Sequence, residues 1–124
     1  LARDGQKVVR RNMMNPAEAP QIPYVTHCLA ATEGPIIAAT DYIRAHTNQI
    51  REFMPRSFTV LGTDGFGRSD TRARLREFFE VDRRYVVFAA MTALADEGVI
   101  PRSDLAKVMS DLGIDPSKPD PTTV

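Results

Sequence analysis

Two short runs, Ile36-Ile37-Ala38-Ala39-Thr40 and Phe58-Thr59-Val60-Leu61, are apolar and four to five residues long. A run of this length with no strict polar alternation is how a strand covered on both faces reads, as in a parallel sheet. Helical patterns surround them. Pro23 opens one that runs to about Ala31, with Tyr24, Val25, Cys28 and Leu29 on one face, and Gly34-Pro35 breaks it. Between the two runs, Asp41 is the expected cap of a helix carrying Ile43, Ile50, Phe53 and Met54 at helical spacing, and Pro55 stops it. The second run leads into the glycine-rich turn Gly62–Asp70. Ser69 or Asp70 is then expected to cap a helix with Leu75, Phe78 and Phe79. Asp82 caps a longer helix, Arg83 to Glu97, in which Val86, Val87, Ala90, Met91 and Leu94 form a stripe expected to be buried. Gly98 is its left-handed stop. Ser103 is the expected cap of the last helix, where Leu105, Val108, Met109 and Leu112 recur before Gly113.

The ends of the chain carry weaker patterns. Residues 1–22 read as an irregular lead-in, since Leu1–Gly5 has no convincing cap and Pro16, Pro20 and Pro23 crowd eight positions. Residues 115–124 hold Pro116, Pro119 and Pro121 and read as an extended tail, frayed unless docked. The pattern predicts an α/β domain in which the two runs are neighbouring parallel strands joined by a right-handed crossover helix. Two short strands are too few for a stable sheet, however. Either a strand lies near Lys7-Val8-Val9 or strands precede the chain, and the second is the expectation. The first residue is Leu1, which fits a piece of a longer protein.

Composition narrows the function classes. The 124 residues carry 16 basic and 16 acidic side chains, for a formal net charge of zero. That excludes nucleic-acid binding through bulk positive charge. No apolar run approaches the roughly 20 residues of a membrane span, so no membrane partner is expected. The single cysteine, Cys28, provides no intrachain disulfide and suits a reducing cytoplasm. His27 and Cys28 are adjacent, so on a helix they diverge by about 100° and form no nucleophile–base pair. No Cys or His spacing matches a zinc site.

The turn Gly62-Thr63-Asp64-Gly65-Phe66-Gly67-Arg68-Ser69-Asp70 leaves the carboxyl end of a parallel strand and enters a helix, which is where α/β folds place ligands. Yet Gly65 and Gly67 lack the third glycine of a dinucleotide fingerprint, and Asp64 and Asp70 would repel a phosphate. The plainer reading is a tight turn in which both acids bond local backbone amides. Arg68, Arg72, Arg74 and Arg76 are followed by Glu77, Glu80 and Asp82, a spacing for helix-surface ion pairs such as Arg76–Glu80.

This turn, continued by Leu75-Arg76, Phe78-Phe79-Glu80-Val81-Asp82, resembles the C-terminal domain of the homodimeric bacterial pyruvate dehydrogenases. These are the thiamine-dependent, decarboxylating components of the pyruvate dehydrogenase complex. Leu1-Ala2-Arg3-Asp4-Gly5, Asn12-Met13, Pro23-Tyr24, Thr40-Asp41-Tyr42, Gln49-Ile50-Arg51 and Tyr85-Val86-Val87 extend the resemblance almost end to end. It implies a transketolase-like C-terminal domain, α/β with a mostly parallel sheet and helices on both faces, truncated at its N-terminal side. It also implies a parent that oxidatively decarboxylates pyruvate with thiamine diphosphate and magnesium and passes acetyl to a lipoyl group of the dihydrolipoyl acetyltransferase core. The implied partners are the preceding domains, the second subunit of a homodimer and that core.

The family's diphosphate motif, Gly-Asp-Gly followed by paired asparagines, has no counterpart here; Gly62-Thr63-Asp64-Gly65 departs from it. No catalytic, cofactor-binding or metal residue is therefore assigned, and Asp64, Phe66 and Arg68 are the candidates for a domain or partner interface. Two other readings stand beside this one. One is a stand-alone module recruiting the acetyltransferase core through the turn; the other is the same domain from a related thiamine-dependent 2-oxo acid dehydrogenase or transketolase-type enzyme. A chain with an open sheet edge exposes backbone and apolar surface. The isolated 124 residues are thus expected to be marginally stable or to self-associate. Sedimentation and calorimetry together check this, and sharp melting of a clean monomer at high temperature would count against it.

Overall fold

A computed structural model describes residues 1–124. Two strands, β1 (Ile36–Ala39) and β2 (Phe58–Leu61), pair in parallel with Ile36 opposite Phe58 and Ala39 opposite Leu61. The ladder continues past both strand ends: Ile36 N donates to Ser57 O at 2.9 Å, Thr40 N to Leu61 O at 2.9 Å, and Thr63 N to Tyr42 O at 2.9 Å. The α/β class, the strand positions and the parallel pairing agree with the sequence pattern.

The helices are α1 (Ala2–Met14), α2 (Tyr24–Leu29), α3 (Arg44–Asn48), α4 (Arg72–Phe78), α5 (Arg83–Asp96) and α6 (Leu105–Asp111), with 3-10 turns at Arg51–Phe53 and Arg102–Asp104. Helix α5 lies against both strands on one face of the sheet, where Thr59 and Ala93 line a shared cavity. Phe58 is one residue along and faces the other side. There Arg51 donates to the Phe58 carbonyl at 2.6 Å and stacks 5.2 Å from the Phe58 ring centroid.

Several expectations are corrected. The lead-in is not irregular over 1–22, because α1 occupies most of it and takes Lys7-Val8-Val9 out of any strand. Its stability comes from distant partners. Arg11 pairs with Glu18 and donates to Ala19 O, while Asn12 and Gln21 exchange two hydrogen bonds of 2.9 Å. Asp4 in turn accepts from the Tyr24 amide at 2.9 Å, at the start of α2. The proline-rich segment is folded back along α1 and caps it from outside.

Asp41 does not cap a long helix to Met54. Bonds from Thr40 N to Leu61 O and from Thr63 N to Tyr42 O tie residues 40–42 to the end of β2, so the helix starts at Arg44 and divides into α3 and a 3-10 turn. Thr71, not Ser69 or Asp70, caps α4, with Arg74 N at 3.4 Å from its hydroxyl. Ser103 lies inside a 3-10 turn rather than capping α6. Asp82 does cap α5, accepting from the Arg84 and Tyr85 amides, and Gly98 and Gly113 are left-handed at φ 76° and 68°.

Burial departs most from expectation. In β2, Phe58 and Val60 are buried and their neighbours only partly; in β1 no residue is fully buried. On α5 the buried residues are Ala93 and Ala95, whereas Val87, in the expected stripe, is 47% exposed. A sheet two strands wide gives α5 too narrow a floor to cover its circumference.

At the base of the fold Arg56 gathers three acceptors: Gly34 O at 2.8 Å, Leu29 O at 3.1 Å and Thr32 Oγ1 at 2.7 Å. This fork satisfies a carbonyl at the end of α2 and the left-handed turn at Gly34. Gly5 is the closest approach of α1 to the core. A Cβ there would sit 2.6 Å from Phe53 Cδ2, and Phe53 is among the most buried residues. Gly5→Ala is expected to destabilise the protein: overpacking costs about 1–3 kcal/mol, against roughly 1 kcal/mol gained in helix propensity. Urea unfolding checks this, and the cost should shrink in a Phe53→Leu background.

Candidate functional site

The glycine-rich turn sits where β2 ends and α4 begins, at the carboxyl end of the strand pair. Its approach is tight: a Cβ on Gly62 would lie 2.7 Å from Arg44 Cγ and 2.8 Å from Arg44 N. Gly65 has φ 122°, and a Cβ there would lie 2.5 Å from the carbonyl oxygen of Pro121. Both positions require glycine, the first for space and the second for space and backbone conformation.

The three candidate interface residues differ in kind. Asp64 accepts from Arg44 Nε at 2.6 Å and lies 3.4 Å from the Arg44 amide, so it reaches across the sheet end rather than to a local amide. Asp70 does bond locally, accepting from Thr71 N at 2.7 Å. Arg68 lies 3.9 Å from the Phe78 ring centroid, a cation–π contact that folds it back onto α4. Phe66 is 75% exposed. Asp64 and Arg68 therefore brace the turn, and Phe66 is the side chain it presents.

Arg76 does not pair with Glu80. It reaches Asp41 at 3.5 Å, with Arg72 at 3.8 Å from the same oxygen, while Glu80 pairs with Lys118 at 3.1 Å. The helix stops at Phe78 and Glu80 turns left-handed at φ 62°, which removes it from the helical spacing. His27 and Cys28 form no pair. The neighbouring Cys28 side chain instead pushes the Tyr24 pKa up.

Sequence reasoning missed the residues that close the site from behind. Arg44, Glu80, Lys118, Asp120 and Pro121, with Leu61, Gly62 and Phe79, line a cleft of about 250 Å³. The tail is neither extended nor free: Asp115 accepts from Ser117 N and Oγ at 2.9 and 2.7 Å, and Asp120 from Thr122 N and Oγ1 at 2.8 and 2.7 Å. A legible signal existed. Asp-Pro-Ser at 115–117 and Asp-Pro-Thr at 120–122 repeat an acid followed two residues later by a hydroxyl, the pattern of Asx turns.

Residues 5–82 match the family described as the transketolase-like TK C-terminal domain. The chain belongs to this family. It is also 53% identical over 124 residues to the pyruvate dehydrogenase E1 component of Cupriavidus necator, covering all of this chain and 14% of that protein. The component of the same name from Escherichia coli is 44% identical over 122 residues, 98% of this chain and 14% of the relative. That of Corynebacterium glutamicum is 41% identical over 124 residues, all of this chain and 13% of the relative. The chain thus spans about one-seventh of the length of these relatives. The transketolase-like match ends at Asp82, so α5, α6 and the tail are supported by the relatives and not by the family description.

The acids of the tail give a pH test. Hydrogen bonds from Ser117 hold the Asp115 carboxyl below its ordinary 3.8, and those from Thr122 do the same for Asp120, helped by Arg44 and Lys118. A lowered folded pKa stabilises fully above the ordinary value and is lost as pH falls through the lowered one. The amide signals of Ser117 and Thr122 should therefore hold their native NMR shifts from neutral pH down to about 4 and move only below it. Asp115→Ala with Asp120→Ala should abolish that step.

Proposed function

We propose that this chain is a structural and assembly segment of a thiamine diphosphate- and magnesium-dependent pyruvate dehydrogenase, acetyl-transferring, that carries no catalytic site of its own. The observation that carries this is identity of 41–53% across the full chain to components of that name. The parent would decarboxylate pyruvate oxidatively and deliver acetyl to lipoyl groups of the acetyltransferase core in the cytoplasm. No helix here is long and apolar enough to cross a membrane.

Packing supports the assembly role. The accessible surface is 8508 Å², whereas a compact monomer of this mass exposes about 6,600 Å². The excess, roughly 1,900 Å², exceeds the ~800 Å² that each partner buries in an ordinary interface. Part of it lies on α5, whose apolar residues Val86, Val87, Ala90, Met91 and Leu94 are all at least partly exposed. A helix this apolar around its circumference is normally buried. Preceding domains of the parent, or the second subunit, would cover it.

The residues present do not fit the cofactor. A magnesium diphosphate site needs oxygen ligands free to coordinate. Asp64 is engaged by Arg44, Asp41 by Arg72 and Arg76, and no three His, Cys, Asp or Glu side chains converge. On this reading, thiamine chemistry in the parent would fall to residues outside this chain.

The test is made in the full-length protein. Its intact mass should be about seven times the 13.8 kDa of this chain. Asp64→Ala removes an exposed charged turn contact worth about 1 kcal/mol or less, and Phe66→Ala removes the exposed apolar side chain. Both should weaken dimer or complex assembly while kcat per thiamine diphosphate-loaded site stays within about twofold, a change under ~0.4 kcal/mol. Loss of kcat in a protein still fully assembled would overturn the reading.

A further inference from the structure

We propose that the C-terminal tail, residues 115–124, is a strap that sets the shape of the glycine-rich turn, and that Lys118 is the positioning residue that fastens it. The proposal stands on contacts within this chain and does not require the pyruvate dehydrogenase reading.

Three separate links run from the tail to the turn. In the first, Lys118 Nζ donates to Phe78 O at 2.8 Å, a carbonyl at the end of α4. It lies 5.2 Å from the Phe78 ring centroid, and the same ring receives Arg68 at 3.9 Å. Phe78 thus joins the tail to position 68. In the second, buried Pro121 places its carbonyl against Gly65, where only a glycine fits. In the third, Asp120 and Arg44 line the same cleft, and Arg44 holds Asp64. The anchored positions, 64, 65 and 68, bracket Phe66 on both sides.

Glu80 adds a strained element to the fastening. It is the one non-glycine residue with a positive φ, 62°, and its carboxylate bonds Lys118 at 3.1 Å. Such a conformation persists only where the surroundings hold it, and Lys118 holds Glu80 and the preceding Phe78 carbonyl together. The tail also closes one side of the cleft at the carboxyl end of the strands, the place where open α/β sheets take ligands. It behaves as an internal ligand. Coupling between two sites is reciprocal. Anything that captures the tail loosens the turn, and anything that grips Phe66 in its present position tightens the tail.

Hydrogen exchange read by mass spectrometry on the full-length protein tests this. Lys118→Met keeps the apolar stem and removes the charge. The hydrogen-bonded amides that flank the turn, Thr63 to Tyr42 O and Leu75 to Thr71 O, should then exchange about tenfold faster or more, the scale expected for loss of a charge-assisted hydrogen bond, while residues 86–95 of α5 are unchanged. Reciprocally, Gly65→Ala should accelerate exchange across residues 117–123. Unchanged exchange at Thr63 and Leu75 in Lys118→Met would overturn the proposal. So would an equal acceleration in α5, which would mean general destabilisation, or an undisturbed tail in Gly65→Ala.

Discussion

Parallel pairing of two four-residue strands constrains everything else in this chain. A parallel pair cannot be closed by a hairpin, so the connection must leave the sheet, cross a face and return. Here the crossover is α3 with the 3-10 turn at Arg51–Phe53, and it fills the face opposite α5. The same ladder, extended to Thr63 and Tyr42, delays the start of α3 and brings Gly62 against Arg44. The position of Asp64 beside Arg44 follows from register.

What was legible in the sequence is what local chemistry decides. Phe58–Leu61 is a strand because a short apolar run ending in glycine has few alternatives, and Asp82 caps α5 because its carboxylate reaches amides two and three residues away. The candidate turn was legible for the same reason. What was not legible depends on partners far off in sequence. The helix α1 has no side-chain cap of its own, and its bonds come from residues seven to twenty positions away. Asp41 has the composition of a cap, yet arginines 31 and 35 positions on claim it. The stripe on α5 was read correctly as apolar and wrongly as buried. Periodicity reports which side of a helix avoids water, and only the neighbouring elements decide whether anything covers it.

The architecture therefore divides into well-held and poorly covered parts. No buried side-chain nitrogen or oxygen lacks a hydrogen-bond partner. Apolar burial is sparse by contrast, with 12 of 124 residues buried and no side chain below 2% exposure. Polar bonds fix geometry, whereas apolar burial supplies most of the driving force for folding. A chain satisfied in the first respect and lean in the second is well specified and weakly driven.

Arg56 illustrates how a conservative-looking exchange fails in such a setting. Its planar fork points at three acceptors in three directions, Gly34 O, Leu29 O and Thr32 Oγ1. Lysine carries the same charge, but its ammonium is a compact point on a flexible stem and cannot span that fan. The three N–H donors of an ammonium would have to serve the acceptors from a single nitrogen, where arginine uses three. At position 56 the chemically nearest neighbour in the amino-acid alphabet is a poor substitute, because the site selects on shape before it selects on charge.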